Sequence, residues 1–357
     1  MLQEIVLICI KHMKEERTVS GIYHLLTGKR SSQTMQDAKA YQLSSFFGVH
    51  KSLERHELTE VLQSLEEKEM IVTDELYARL TKKGALYLKQ RDIQNQLSGF
   101  RGLDYHQVTP VLTKRLLLLI QTVTNLNGKK NSFVPIIDDA GVQAWVRGVY
   151  SSKRHQLESF VATLYEELNT VLEACSKREA YLFVCRLTGN GQVGSTYDQL
   201  ADECHIKKWD VHLHLERVMH QMIHIVKADP SSFSALSLCL EGLGSSSLIT
   251  ESAKRTYYYV ERGWTIEEIV QKRRLKESTI QDHIVEAALV LPDFRIESFV
   301  SLEGQSLIVT MARSLQTKRL KEIYLGLKEE FSYFQIRLTL AHHQHHSREE
   351  SLHGSVN

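Results

Sequence analysis

Four basic residues lie within or beside a short turn in the last third of the 357-residue chain: Lys272, Arg273, Arg274 and Lys276. Lysine and arginine hold nucleic-acid phosphates, because each brings a positive charge and several hydrogen-bond donors. Polar side chains that bond to base edges follow at once, namely Ser278, Thr279 and Gln281. This spacing predicts a nucleic-acid contact.

Two acidic residues, Glu277 and Asp282, lie among these polar side chains and would repel phosphates. The alternative interpretation is a solvated, charged face on a bundle of helices. A net charge of +1 adds no long-range attraction to nucleic acid, so any contact depends on the local patch.

The stretch 265–289 that carries these residues predicts a helix-turn-helix. The first helix is expected from Ile266 to Arg273, where Thr265 and Glu268 have the spacing of a capping box. The second is expected to begin near Ser278. Its inward positions are Ile280, Ile284 and Ala287.

Residues 196–224 repeat this packing pattern at a constant offset of 69 residues. Five small or apolar positions match: Leu200 with Ile269, Ala201 with Val270, Ile206 with Leu275, Val211 with Ile280, and Leu215 with Ile284. The middle of the chain is therefore predicted to contain a second helix-turn-helix-like piece.

The start of the chain predicts a winged-helix-like unit. Apolar residues recur at helical spacing up to Leu65, and two short strand candidates follow at residues 70–72 and 76–80. The sequence LTKKG then leads into another helix. Such units bind either DNA or protein.

The predicted fold is mainly α and multi-domain. Its expected parts are a winged-helix-like unit at 1–98, a helical middle domain at 103–230, a C-terminal helix-turn-helix domain at 250–345 and a polar tail at 346–357. Four prolines in the whole chain suit long helices.

Other motifs give little support for catalysis, a metal or a cofactor. Residues 189–194 spell GxGxxG, but no alternation of strands and helices surrounds them. No GxxxxGK[ST] loop is present to hold ATP phosphates. His220 and His224 lie four residues apart, yet no HExxH accompanies them. We expect no enzyme, no metal and no cofactor.

The cellular setting is predicted to be the cytoplasm. Five scattered cysteines without CxxC spacing argue against a disulfide framework. The first apolar run is short and meets Lys11, unlike a signal peptide, and no stretch approaches the length of a membrane span.

The C-terminal stretch resembles the helix-turn-helix found at the C-terminus of some RecQ-type helicases. The residues that carry the resemblance are Trp264, Thr265, Ile266, Glu267, Glu268, Ile269, Arg273, Leu275, Glu277, Ser278, Thr279, Ile280 and His283. Leu320, Lys321 and residues 332–337 match the end of that domain, whereas Val270 stands where alanine is usual. Along most of its length the chain resembles the YpbB-like proteins of Firmicutes.

The resemblance implies a DNA-binding accessory protein that works beside a RecQ-type helicase or DNA repair machinery and has no motor of its own. Two alternatives remain open: a protein–protein adaptor that never contacts DNA, and a sequence-specific transcription regulator. A third alternative, an enzyme that uses a dinucleotide, is supported only by the GxGxxG pattern at residues 189–194.

Overall fold

The computed structural model describes residues 1–90, 93, 97–243, 249–291 and 293–353, with no side chains described from residue 344 onward. Among these residues the secondary structure is helical apart from one two-stranded sheet, which confirms the mainly α fold. No helix in this part of the chain is long and apolar enough to cross a membrane.

The N-terminal unit consists of five helices, a short 3-10 turn and the hairpin. They are α1 (Leu2–Met13), α2 (Val19–Thr27), α3 (Ser32–Ala40), a 3-10 helix (Ser44–Phe46), α4 (Arg55–Glu67), β1 (Ile71–Thr73), β2 (Ala78–Leu80) and α5 (Lys82–Gln90). The first helix lies where its apolar pattern predicts, and its apolar side chains, from Leu2 to Met13, are all buried.

The hairpin has the predicted position after α4. Its antiparallel register pairs Ile71 with Leu80 and Thr73 with Ala78. Asp74 shapes the turn, because its side chain accepts hydrogen bonds from the backbone N–H groups of Leu76 and Tyr77 at 2.9 and 2.7 Å. The order of helix, hairpin and helix agrees with a winged-helix-like unit.

The middle unit contains eight helices and a second 3-10 turn among the described residues. They are α6 (Gly102–Tyr105), α7 (Thr109–Asn127), α8 (Ala140–Lys153), a 3-10 helix (Arg154–Gln156), α9 (Leu157–Glu173), α10 (Lys177–Cys185), α11 (Tyr197–Cys204), α12 (Lys208–Ala228) and α13 (Ser234–Leu240). Leu236 and Cys239 of α13 are buried in the same core as α7 and α9, so this unit extends beyond residue 230.

The glycine-rich stretch at 189–194 is a loop between two helices. The apolar segment before it is helix α10, and an isolated bridge joins Gly189 to Gln192. A dinucleotide fold needs a strand before the glycines, so the structure contradicts the dinucleotide alternative.

The C-terminal unit has six helices in its described part. They are α14 (Glu251–Val260), α15 (Ile266–Arg273), α16 (Glu277–Val290), α17 (Leu302–Ser314), α18 (Leu320–Gly326) and α19 (Tyr333–His353). The expected polar tail is helical as far as His353, and its last four residues lie outside the described part of the chain.

The repeat predicted at an offset of 69 residues is present in the structure. Helix α11 begins and ends 69 residues before α15, and α12 begins 69 residues before α16. Both first helices start with a capping box, and both turns place a non-glycine residue in the left-handed region, His205 at φ 53° and Arg274 at φ 52°.

The N-terminal unit packs against the second helix of each repeat. Trp209 and Leu213 of α12 are buried in the same hydrophobic core as α1, and Asp210 accepts a hydrogen bond from the N–H of Leu2 at 2.8 Å. Val285 and Leu289 of α16 are fully buried in that core, where α16 packs on α3. The two repeats therefore hold the N-terminal unit through equivalent helices.

Candidate nucleic-acid interface

The turn between α15 and α16 is fixed by local interactions. The hydroxyl of Thr265 accepts a hydrogen bond from the N–H of Glu268 at 3.3 Å, and the Glu268 carboxylate accepts one from the N–H of Thr265 at 2.8 Å. Arg274 ends α15 in the left-handed conformation, and Lys276 is the extended residue at the N-terminus of α16. The structure therefore places the predicted basic turn at the protein surface.

Three of the four predicted phosphate-binding residues are exposed on this turn: Lys272, Arg274 and Lys276. Within the described part of the chain, none of the three forms an ion pair. They lie beside the N-terminus of α16, where unpaired N–H groups and the helix dipole also favour an anion. This is the arrangement that a phosphate contact needs.

Arg273, the fourth of these residues, points towards α14. Its guanidinium donates to the backbone oxygen of Ser252 at 2.7 Å, to the hydroxyl of Ser252 at 3.0 Å and to the hydroxyl of Thr256. Burial lowers the pKa of Arg273, and the nearby charge of Arg255 lowers it further. Because its donors already join α15 to α14, we assign Arg273 a structural role, and a phosphate contact by it stays a prediction.

The predicted base-contacting residues lie in the first turn of α16 and directly after it. Ser278 is exposed, whereas Thr279 and Gln281 are half-buried. The amide of Gln281 donates to the carboxylate of Glu277 at 2.8 Å, which ties one candidate reader of bases to an acidic neighbour. A base contact by these three residues stays a prediction.

Beyond that first turn, the outward face of α16 is covered by the N-terminal unit and α19. Asp282, expected to face outward and repel phosphates, lies at the edge of the covered part: its side chain is 49% exposed, and its carboxylate accepts hydrogen bonds from Ser32 of α3 and Arg337 of α19, each at 2.8 Å. Val285 and Leu289 lie further along the same face and are buried. A helix inserted deeply into a major groove would need this face to be free.

Helix α14 contributes residues that the sequence interpretation missed. A shallow groove of about 510 Å³ runs between α14 and the end of α15, and four cations and two tyrosines line it. These residues are Lys254, Arg255, Tyr258, Tyr259, Lys272 and Arg273. The signal was visible in the sequence KRTYYYVER, in which basic residues flank tyrosines, as in many surfaces that bind nucleic acid.

The histidines weighed as metal ligands have other partners. His220 is fully buried, and its Nδ1 accepts a hydrogen bond from the N–H of Arg101 at 3.0 Å. His224 lies 3.3 Å from the guanidinium of Arg101. In the part of the chain that is described, no three His, Cys, Asp or Glu side chains converge in a way that suits a metal ion.

Comparison with known proteins supports this assignment of the C-terminal unit. Residues 252–340 match the family described as a helix-turn-helix domain. No solved structure matches the chain. Protein YpbB of Bacillus subtilis (strain 168) is 32% identical over 338 residues, which cover 94% of this chain and 95% of that protein. On this similarity along nearly the whole length, the chain belongs to the YpbB family.

Proposed function

We propose that this protein binds DNA in the cytoplasm as an accessory factor of a RecQ-type helicase or of DNA repair machinery, without a motor or cofactor of its own. The observation that carries the proposal is the exposed turn of a helix-turn-helix domain, with Lys272, Arg274 and Lys276 at the surface. The link to a RecQ-type helicase rests on the resemblance of this domain to the C-terminal domain of such helicases.

The arrangement favours contact with the phosphate backbone over reading of base sequence. Lys272, Arg274 and Lys276 provide solvated charges, which suit phosphates. Only the N-terminal part of α16 is free to approach base edges, because Val285 and Leu289, further along the same face, are fully buried. This favours an accessory DNA-binding role over that of a sequence-specific transcription regulator.

The test is DNA binding at several salt concentrations with the variant Lys272→Ala/Arg274→Ala/Lys276→Ala. Removing one phosphate contact should lower the slope of log K against log salt by about 0.9 for duplex DNA, because fewer counterions are released. Removing all three should therefore lower it by about 2.7. Fluorescence anisotropy of a labelled duplex measures both the affinity and the slope.

The matched control removes three exposed charges from the middle unit, in the variant Lys129→Ala/Lys130→Ala/Arg147→Ala. We expect it to keep the wild-type slope. If both triple variants change the slope equally, or if neither does, the turn is not the DNA site.

A protein–protein adaptor is the second candidate, and one observation favours it. Both helix-turn-helix units use the outward face of their second helix to hold the N-terminal unit, as Trp209 and Leu289 show. If the protein serves only as an adaptor, a RecQ-type helicase should bind it equally well before and after nuclease treatment. The protein alone should then shift no DNA at low salt.

A further inference from the structure

The groove beside the basic turn presents an aromatic ring together with unpaired positive charge. Tyr258 is 50% exposed at the groove, with Arg255 on the same helix and Lys272 at the end of α15. Within the described residues, the side chains of Arg255 and Lys272 form no hydrogen bond and no ion pair. A ligand that fits would combine a flat, polarisable group with negative charges.

The ring of Tyr258 is held in place by its neighbours. The guanidinium carbon of Arg262 lies 3.4 Å from the ring centroid, and the same guanidinium donates to the backbone oxygen of Tyr258 at 3.0 Å. Tyr259 meets the ring edge-on at 5.4 Å and itself packs on Trp264 at 4.9 Å. Tyr258 and Arg262 thus form a preorganised flat surface, and both tyrosine rings and guanidinium planes stack on bases.

The charges around this surface repel one another when no ligand is present. Arg255 and Arg273 are close enough for their repulsion to contribute to the lowered pKa of Arg273, although burial is the larger cause. Lys254 is paired with Glu251 at 2.6 Å in a solvated contact, and the pKa of this carboxyl is lowered mainly by Lys254 and to a smaller degree by Arg255. A phosphate placed beside Arg255 would offset its repulsion with Arg273.

Stacking on Tyr258 requires the open face of a base, which duplex DNA does not offer within its helix. The covered outward face of α16 also opposes deep insertion into a major groove. We infer that the groove lined by Arg255, Tyr258 and Lys272 binds single-stranded DNA, with an unstacked base against the Tyr258–Arg262 pair and adjacent phosphates at the two cations. This inference rests on the DNA binding proposed above and specifies the form of DNA.

The test compares the full-length protein with Tyr258→Leu in binding a labelled fifteen-nucleotide oligothymidylate and a blunt duplex of the same length. Loss of one stacked base should weaken binding to the single strand by about 5- to 150-fold, because stacking on an aromatic side chain contributes about 1–3 kcal/mol per base. Affinity for the duplex and the salt slope should not change, because no charge is removed. Tyr258→Trp, which keeps an aromatic surface, should restore binding to the single strand.

The matched control is Tyr165→Leu, which removes an exposed tyrosine from α9 in the middle unit. We expect it to bind the single strand like the wild type. Unchanged binding by Tyr258→Leu, or equal weakening for single strand and duplex, would overturn the inference while leaving DNA binding intact. Tighter binding of the wild type to oligouridylate would replace DNA by RNA as the ligand. Failure of the wild type to bind any of these nucleic acids would remove the proposed function as well.

Discussion

At the scale of single residues, the basic turn combines two different kinds of side chain. Lys272, Arg274 and Lys276 are exposed, whereas Arg273 joins α15 to Ser252 and Thr256 of α14. The sequence allowed the capping box at Thr265 to be predicted, because its partner is three residues away. It did not allow the inward orientation of Arg273 to be predicted, because that depends on residues 17 and 21 positions earlier in the chain.

Replacing Arg274 with glycine should distinguish two properties of this residue: the positive charge that it offers to DNA, and the stability that its left-handed backbone conformation costs. Arg274 has φ 52°, a conformation that costs a non-glycine residue about 1 kcal/mol or more. Arg274→Gly should therefore keep or slightly raise the melting temperature while weakening DNA binding. Calorimetry and anisotropy measure the two effects.

The equivalent change in the other repeat, His205→Gly, provides the control. His205 has φ 53° in the corresponding turn, so the same gain in stability is expected, with no change in DNA affinity. Equal loss of DNA affinity in both glycine variants would show that turn geometry, not the charge of Arg274, governs binding.

At the scale of elements, the chain uses one packing unit twice. The apolar positions of α11 and α12 predicted those of α15 and α16, because packing between the two helices of each unit demands the same spacing. Which element covers the outward face of each second helix could not be predicted. The contacts that decide it join Leu2 to Asp210 and Ser32 to Asp282, across 208 and 250 residues, and they have no local signal.

Truncating Leu289 tests whether α16 is held by the N-terminal unit as described. Leu289 is fully buried, so Leu289→Ala should lower the free energy of unfolding by about 2–5 kcal/mol. Leu302→Ala provides the comparison, because Leu302 is 69% exposed and its truncation should change stability by less than about 0.5 kcal/mol. Urea denaturation measures both. A cost at Leu289 no larger than at Leu302 would contradict the packing.

At the scale of the whole molecule, the N-terminal unit is the centre around which both repeats pack. Glu16 adds a further link, because its carboxylate accepts hydrogen bonds from Thr317 at 3.2 Å and from the N–H of Lys318 at 3.1 Å. The three units predicted from local patterns are not independent bodies, because one hydrophobic core contains residues of all three. Local patterns carry no information about such a shared core, since its members are far apart in the chain.

Two buried histidines, one in the N-terminal unit and one in the middle unit, should make the free energy of unfolding depend on pH. Burial lowers the pKa of His50 and of His106 from 6.5 to about 4, and both side chains are 3% exposed. A pKa lower in the folded than in the unfolded state favours folding above pH 6.5, and this contribution is lost as the pH falls towards 4. Each histidine should reduce the free energy of unfolding by about 2 kcal/mol between pH 7 and pH 5.

The variant His50→Phe should show a smaller loss of stability over that pH interval than the wild type, whatever its stability at pH 7. His56→Gln is the matched control, because it removes a histidine whose side chain is 65% exposed. Denaturant titrations at both pH values measure the difference. An equal pH effect in the wild type and His50→Phe would contradict a neutral, buried His50.

Amide hydrogen exchange of the full-length protein, with and without single-stranded DNA, would show directly whether DNA binds at the basic turn and the neighbouring groove. We predict slower exchange in α14, at the end of α15 and in the first turn of α16, with no change in α3 or around Leu289. Faster exchange in α3 together with new protection along α16 would contradict this binding site, because it would mean that DNA displaces the N-terminal unit to reach the covered face.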